Sequence, residues 1–194
     1  MTGETRRQIE HIVPLGFAFL LRYLTVTQAA VMALAAIVYG VFGSRLLVSS
    51  GVREDERARG FSVGKISYAL VVLALVLLFG ERMHITAGAW AVLALGDSIS
   101  NLAGRAWGRK TLPWSREKTW TGSAAFFVAS WAGAFVLVVW TAAGKGIPLP
   151  GTGAVMAVTA AAAAVAAVVE SLPLAVDDNI TSPLAAALVL GTFL

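Results

Sequence analysis

Residues 96–123 break most sharply with the apolar background of this chain, running Gly96-Asp-Ser-Ile-Ser-Asn-Leu-Ala-Gly-Arg-Ala-Trp-Gly-Arg-Lys-Thr-Leu-Pro-Trp-Ser-Arg-Glu-Lys-Thr-Trp-Thr-Gly-Ser123. On a helix, Asp97, Asn101, Gly104 and Arg105 fall at i, i+4, i+7 and i+8, which is one face. A carboxylate, an amide, a gap and a guanidinium on one face suit a metal and a phosphate, and an ionisable group inside a membrane is a functional candidate by default. The bland alternative is an Asp97–Arg105 pair that only locks helices. Beyond Gly104 the run turns basic, with Arg105, Arg109, Lys110, Arg116 and Lys118. Guanidinium forks and ammonium point charges are the groups that hold phosphate. Ser115, Thr119, Thr121 and Ser123 are interleaved as hydrogen-bond donors, and Gly104, Gly108 and Gly122 would let backbone approach a ligand closely. An ordinary basic loop beside a membrane would share the charge but not that interleaving. Trp107, Trp114 and Trp120 read as interface-belt residues, with base stacking the minority reading.

A second group is Glu170-Ser-Leu-Pro-Leu-Ala-Val-Asp-Asp-Asn-Ile-Thr-Ser-Pro183. Glu170, Asp177 and Asp178 with Asn179 offer oxygen ligands of the kind Mg²⁺ or Ca²⁺ prefers. Other chemistries are missing. Gly60-Phe-Ser-Val-Gly-Lys-Ile66 resembles a phosphate-binding loop but is one residue short between its glycines and has Ile66 where Ser or Thr should stand. His11 and His84 are expected on opposite sides of the membrane and make no joint metal site. There is no cysteine, so disulfides, thiolate metal sites and cysteine nucleophiles are excluded.

The elements that must position these residues follow from hydropathy. The chain has 194 residues, 58% of them hydrophobic and 13% charged, against about 25% charged in a soluble domain. Its mean hydropathy is +0.78. A single all-α, polytopic membrane domain over residues 1–194 is expected. A centrally placed Asp, Lys or Arg costs about 2.5 to 3.5 kcal/mol on insertion, so charge-free runs mark the spans: Ile12–Leu21, Tyr23–Ser44, Ile66–Gly80, Met83–Gly96, Thr119–Gly144, Gly146–Val169 and Asn179–Leu194. A spanning helix needs about 20 residues. The second, fifth and sixth runs reach that alone, the third by borrowing residues 61–65, and the fourth only if its helix continues through Asp97 toward Gly104. The first and last are short. About seven transmembrane helices result. A cleaved leader over Ile12–Leu21 is disfavoured because Arg22 interrupts it without a small-residue cleavage site.

Orientation comes from the 15 basic residues. Arg6 and Arg7, then Arg45, Arg53, Arg57, Arg59 and Lys65, then Arg105, Arg109, Lys110, Arg116 and Lys118 are separated by pairs of spans and share one side. Arg22, Arg82 and Lys145 fall on the other. The richer side is cytosolic by the positive-inside rule, which puts the N-terminus there. Topology thus accounts for the isoelectric point near 9.9 without nucleic acid as a partner; an anionic membrane surface or anionic substrate remains. The same count sets Glu170, Asp177 and Asp178 on the basic side, an arrangement suited to a polyanion carried with a divalent cation. Asp97 would lie about 18 Å along its helix from Ile85, in the cytosolic third of the bilayer.

The Gly96–Ser123 run resembles the signature of the dolichol kinase, phytol kinase and CTP-dependent diacylglycerol kinase family. Glu170-Ser-Leu-Pro with Asp177-Asp-Asn-Ile-Thr-Ser-Pro resembles that family's second block. Arg7-Gln-Ile-Glu-His11 resembles its Arg-Lys-x-x-His element, with Gln8 in the lysine position, and Arg59-Gly through Gly64 and Tyr68 resembles its glycine-containing helix entry. The resemblance implies transfer of the γ-phosphate of CTP to the hydroxyl of a long-chain lipid alcohol, with a divalent cation such as Mg²⁺. It implies that Asp97, with Asp177 or Asp178 and with Glu170 nearby, holds the cation, or that one of these takes the alcohol proton. Arg105, Arg109, Lys110 and Lys118 would hold the triphosphate, joined by Thr119 and Gly122, while Asn101, Asn179 and Ser123 orient ligands. The lipid tail would enter between helices. A cytidylyltransferase making a CDP-lipid would use the same site, and a small transporter is the non-enzymatic alternative; one-sided polar residues and the lack of a visible inverted repeat count against transport. A prokaryotic inner membrane is the expected location, with the active site cytosolic.

Overall fold

A computed structural model describes residues 12–43, 63–174 and 176–194, apart from the Val63 side chain. The basic residues Arg6, Arg7, Arg45, Arg53, Arg57 and Arg59, His11, and most of the two N-terminal blocks of the family resemblance lie outside the described residues. The elements are α1 (Leu15–Leu20), α2 (Val26–Val38, prolonged by a π turn Tyr39–Gly43), α3 (Val63–Leu78), α4 (Met83–Ala91), α5 (Asp97–Trp107), a hairpin of β1 (Thr111–Leu112) and β2 (Ser115–Thr119), α6 (Trp120–Lys145), α7 (Thr152–Ser171) and α8 (Asp178–Phe193).

Local chemistry sets several boundaries. Thr25 and Gln28 form a reciprocal capping box at the start of α2. The Thr119 hydroxyl caps α6 by accepting from the Gly122 amide at 3.1 Å. α6 ends where Gly146 takes the left-handed conformation, φ 65°, which a side chain would resist. Asp177 caps α8 through its own carboxylate, which accepts from the Asn179 amide at 3.0 Å.

The core is built around α4, every residue of which is buried. Apart from His84, its residues are apolar or small on all sides, as expected of a helix surrounded by other helices. α4 and α5 lie along α6, α6 packs on α7, and α7 on α8, which also touches α3 and α4. The α7–α8 seam is alanine: Ala162, Ala163, Ala166, Ala186 and Ala187 are all buried, so the two backbones approach closely without lipid-facing polar groups. Outside this core, Leu77, Leu78, Val168, Leu188 and Phe193 are each at least 60% exposed. Such an apolar exterior on a helical bundle fits membrane association.

Two helices are long and apolar enough to cross a bilayer, α6 with 26 residues and α7 with 20. A third crossing arises only if Gly64–Leu78 and Gly80–Trp107, bent by 95° at the turn between them, count as one span. The expected seven spans are not met among the described residues. The first apolar run holds only the six-residue α1, α2 with its π turn is short, and α8 has 16 residues with Pro183 inside. The third and fourth runs meet in a sharp corner through the 3₁₀ turn Gly80–Arg82. Hydropathy marks where apolar chain begins and ends but is blind to a change of direction.

Candidate active site

The fourth apolar run continues through Asp97, as its length required. α4 passes through a π turn, Val92–Gly96, directly into α5. A π turn inside a helix rotates the residues that follow it and often marks a functional position; here the residue that follows is Asp97. Asn101, one turn on, donates its amide to Asp97 Oδ1 at 2.9 Å and to the Asp97 carbonyl at 2.9 Å, so the i, i+4 pairing read from the sequence is a contact. Asp97 shares a small cavity with Glu170, Asp178 and Ser182; Val92, Leu93, Phe126 and Pro183 form its apolar wall. Its volume, about 10 Å³, accommodates on the order of one water molecule.

The basic run folds as a hairpin over this cavity. Thr111 pairs with Thr119 and Leu112 with Ser115 across a tight turn at Pro113–Trp114. Two contacts fasten it to the C-terminal end of α7. The Trp114 indole donates to the Ser171 carbonyl at 3.1 Å and hydroxyl at 3.2 Å. The Lys118 ammonium donates to Glu170 Oε1 at 2.5 Å and to Asp178 Oδ2 at 2.9 Å. Burial alone would pull the Lys118 ammonium down, but the two carboxylates outweigh it and hold the group above the ordinary lysine value. A raised value keeps the contribution of this cation to stability intact at neutral pH and loses it only above the lysine range. The two carboxylates thus favour the charged form of Lys118.

The remaining residues separate into roles. Arg105, Arg109 and Lys110 are exposed around the hairpin's base. Thr119 is committed to its helix cap. Gly122 packs against α5: a Cβ there would lie 3.1 Å from the Ser100 carbonyl and 3.6 Å from Gly104 Cα. Gly104 and Gly122 thus face each other where the two helices cross. Asp177 is the exposed cap of α8 and accepts from the Ser67 hydroxyl at 3.3 Å, while its neighbour Asp178 faces the cavity. Ser123 Oγ, Asn179 Oδ1, Thr181 Oγ1 and Ser182 Oγ are buried without a hydrogen-bond partner. Buried polar atoms are satisfied in the great majority of cases. Of these four residues, Ser182 lines the cavity beside Asp97, where its hydroxyl is open to a polar ligand or water.

Three features escaped the sequence. The Trp114–Ser171 latch bridges 57 positions and carries no spacing signal. Ser67 looks like any serine at a helix entry. Trp90 donates to the Tyr68 hydroxyl at 2.7 Å, a buried pair between α3 and α4 hidden in apolar runs.

As a metal centre, the carboxylates do not fit in this arrangement. Among the described residues no three His, Cys, Asp or Glu side chains are placed to hold one metal ion between them, and Glu170 and Asp178 already share the lysine ammonium. A cation held by protein groups alone is not what this donor set builds.

A probable phytol kinase of Triticum aestivum is 32% identical over 77% of this chain and 50% of its own length. One of Zea mays is 29% identical over 87% of the chain and 56% of its own, and phytol kinase 1 of Arabidopsis thaliana is 29% identical over 84% and 55%. The chain spans about half the length of these curated relatives. All three are described as chloroplastic, which gives no support to the expected prokaryotic inner membrane. No protein-family model and no solved structure matches the chain. Homologues of one description align over most of its residues, so the chain is similar to the phytol kinases of the polyprenol and phytol kinase family.

Proposed function

We propose that the chain is the membrane-embedded catalytic part of a lipid-alcohol kinase that moves the γ-phosphoryl group of CTP to the hydroxyl of a long-chain isoprenoid alcohol such as phytol. The observation that carries this reading is one cavity lined by Asp97, Glu170, Asp178 and the orphaned Ser182 hydroxyl, with the Lys118 cation bound to two of its acids, in a chain homologous to phytol kinases. Phosphoryl transfer asks little covalent chemistry of the protein; positioning and charge neutralisation supply most of the rate.

In this reading the triphosphate comes from water onto Arg105, Arg109, Lys110 and Lys118, bringing its Mg²⁺ as part of the substrate. Mg²⁺ keeps several waters and takes one or two carboxylates beside phosphate oxygens, so no all-protein cage is required. The alcohol enters from the bilayer between helices, its hydroxyl meeting Asp97. The hydroxyl oxygen forms the new bond to the γ-phosphorus, the bond from phosphorus to the β,γ-bridging oxygen breaks, and CDP leaves. Asp97 receives the hydroxyl proton. The hairpin end faces the side that carries the basic excess, the cytosol in the positive-inside sense.

Purified chain in mixed micelles with phytol, given CTP labelled at the γ- or the α-phosphate, tests this. Label from the γ position in the lipid is expected. Label from the α position assigns a cytidylyltransferase, and no lipid label with CTP, ATP or GTP overturns the kinase reading.

A further inference from the structure

Lys118 is held by two carboxylates that differ in one respect. The Glu170 side chain is 3% exposed and the Asp178 side chain 41%, while Lys118 itself is 27% exposed. Glu170 lies in the last turn of α7, sealed beneath the hairpin; Asp178 is the first residue of α8, at the rim. An ammonium has three N–H donors. Two are used here, on Glu170 Oε1 and Asp178 Oδ2, and the third can meet an incoming anion.

A phosphate arriving from water competes with both carboxylates for this cation. The two do not yield equally. Releasing Asp178 returns a half-exposed carboxylate to solvent, where hydration replaces the lost contact. Releasing Glu170 would strand a charge in a dry site, which is the costly event for a buried pair. Glu170 also sits at the carbonyl end of α7, where the helix dipole favours a cation and gives no help to an unpaired anion.

We propose that Glu170 is the positioning residue that keeps the Lys118 ammonium aimed at the cavity, and that Asp178 is the exchangeable partner which nucleotide phosphates displace. This rests on the kinase reading above, and it gives the two acids opposite effects on nucleotide affinity. It also sets Glu170 apart from a metal ligand, because its effect does not pass through a divalent cation.

Equilibrium binding of CTP to the purified full chain in micelles, with Mg²⁺ and again in EDTA, reads this separately from turnover. Glu170→Gln is expected to raise the dissociation constant about tenfold in both buffers, Glu170→Asp about threefold, and Asp178→Asn to lower it about threefold, since a competitor and a repulsive charge are removed. Should Glu170→Gln not fold, as judged by its melting curve, Glu170→Asp carries the test. Unchanged affinity in the Glu170 variants, or an equal rise with Asp178→Asn, overturns the division of roles and leaves the kinase reading standing. An affinity loss in Glu170→Gln that appears with Mg²⁺ and disappears in EDTA assigns Glu170 to a metal and also overturns it. A wild-type chain that binds no CTP in either buffer defeats the kinase reading itself.

Discussion

Asp97 and Asp177 are both acidic residues near the polar end of the bundle, and their surroundings give them different work. Asp97 follows a π turn, is half-buried, and has one carboxylate oxygen fixed by Asn101. Asp177 caps a helix and holds Ser67. Asp97→Asn keeps the shape and removes the negative charge. It is expected to lower phosphoryl transfer by about 100-fold or more with an unchanged melting temperature; turnover within a few-fold of wild type would remove Asp97 from the chemistry. Asp177→Ala should instead cost about 1 kcal/mol of stability, the usual loss of a helix cap, and leave a measurable reaction. The prominence of Asp97, Lys118, Glu170 and Asp178 was legible in the sequence because each is a charge bordering apolar chain. That Lys118 binds Glu170 and Asp178 was not, since its partners are 52 and 60 positions away and no local pattern encodes such a distance.

At the scale of elements, the contact of α5 with α6 decides whether the cavity exists. The two cross at Gly104 and Gly122, and the chain leaving α5 at Gly108 is closer still: a Cβ there would lie 2.2 Å from the Gly104 carbonyl and 2.7 Å from Thr119 Oγ1. Both obstacles are the backbone and a capping hydroxyl, which have little room to yield. Gly108→Ala is therefore expected to destabilise the protein by about 1–3 kcal/mol, the range for overpacking, read as a lower melting temperature in detergent. A melting temperature equal to wild type would show that the hairpin can move away from α5 freely. The sequence suggested these glycines as approach points for a ligand; in the folded chain they are also where α5, α6 and the hairpin approach one another. Glycine reports close contact, and its partner is set by tertiary packing.

Across the whole molecule the charges separate by end. Lys118, Glu170 and Asp178 meet at the start of α6. At its far end, about 39 Å along at 1.5 Å per residue, Arg22 lies over the Trp140 ring at 4.2 Å, Lys145 donates to the Leu24 carbonyl, and Trp140 donates to the Phe19 carbonyl at 3.1 Å. The chain lacks cysteine, so single-cysteine reporters are unambiguous. Arg109→Cys and Gly151→Cys, the latter in open space, should react with a membrane-impermeant maleimide from opposite faces of sealed vesicles. Labelling of both from one face would overturn the proposed crossing by α6.

Composition and charge spacing by themselves were enough to mark a helical chain apolar enough for membrane association, to single out residues 96–123 and 170–183 as its polar segments, and to raise the expectation that the basic excess follows topology. Those conclusions need only transfer free energies and counting, which are properties of residues along a line. The three-dimensional structure alone decided that the third and fourth apolar runs meet at a 95° corner, that two neighbouring aspartates divide between cap and cavity, and that a lysine expected on phosphate rests between two carboxylates. Each depends on the direction a backbone takes and on which distant side chain it meets, and a buried charge accepts whichever partner the packed helices bring within reach.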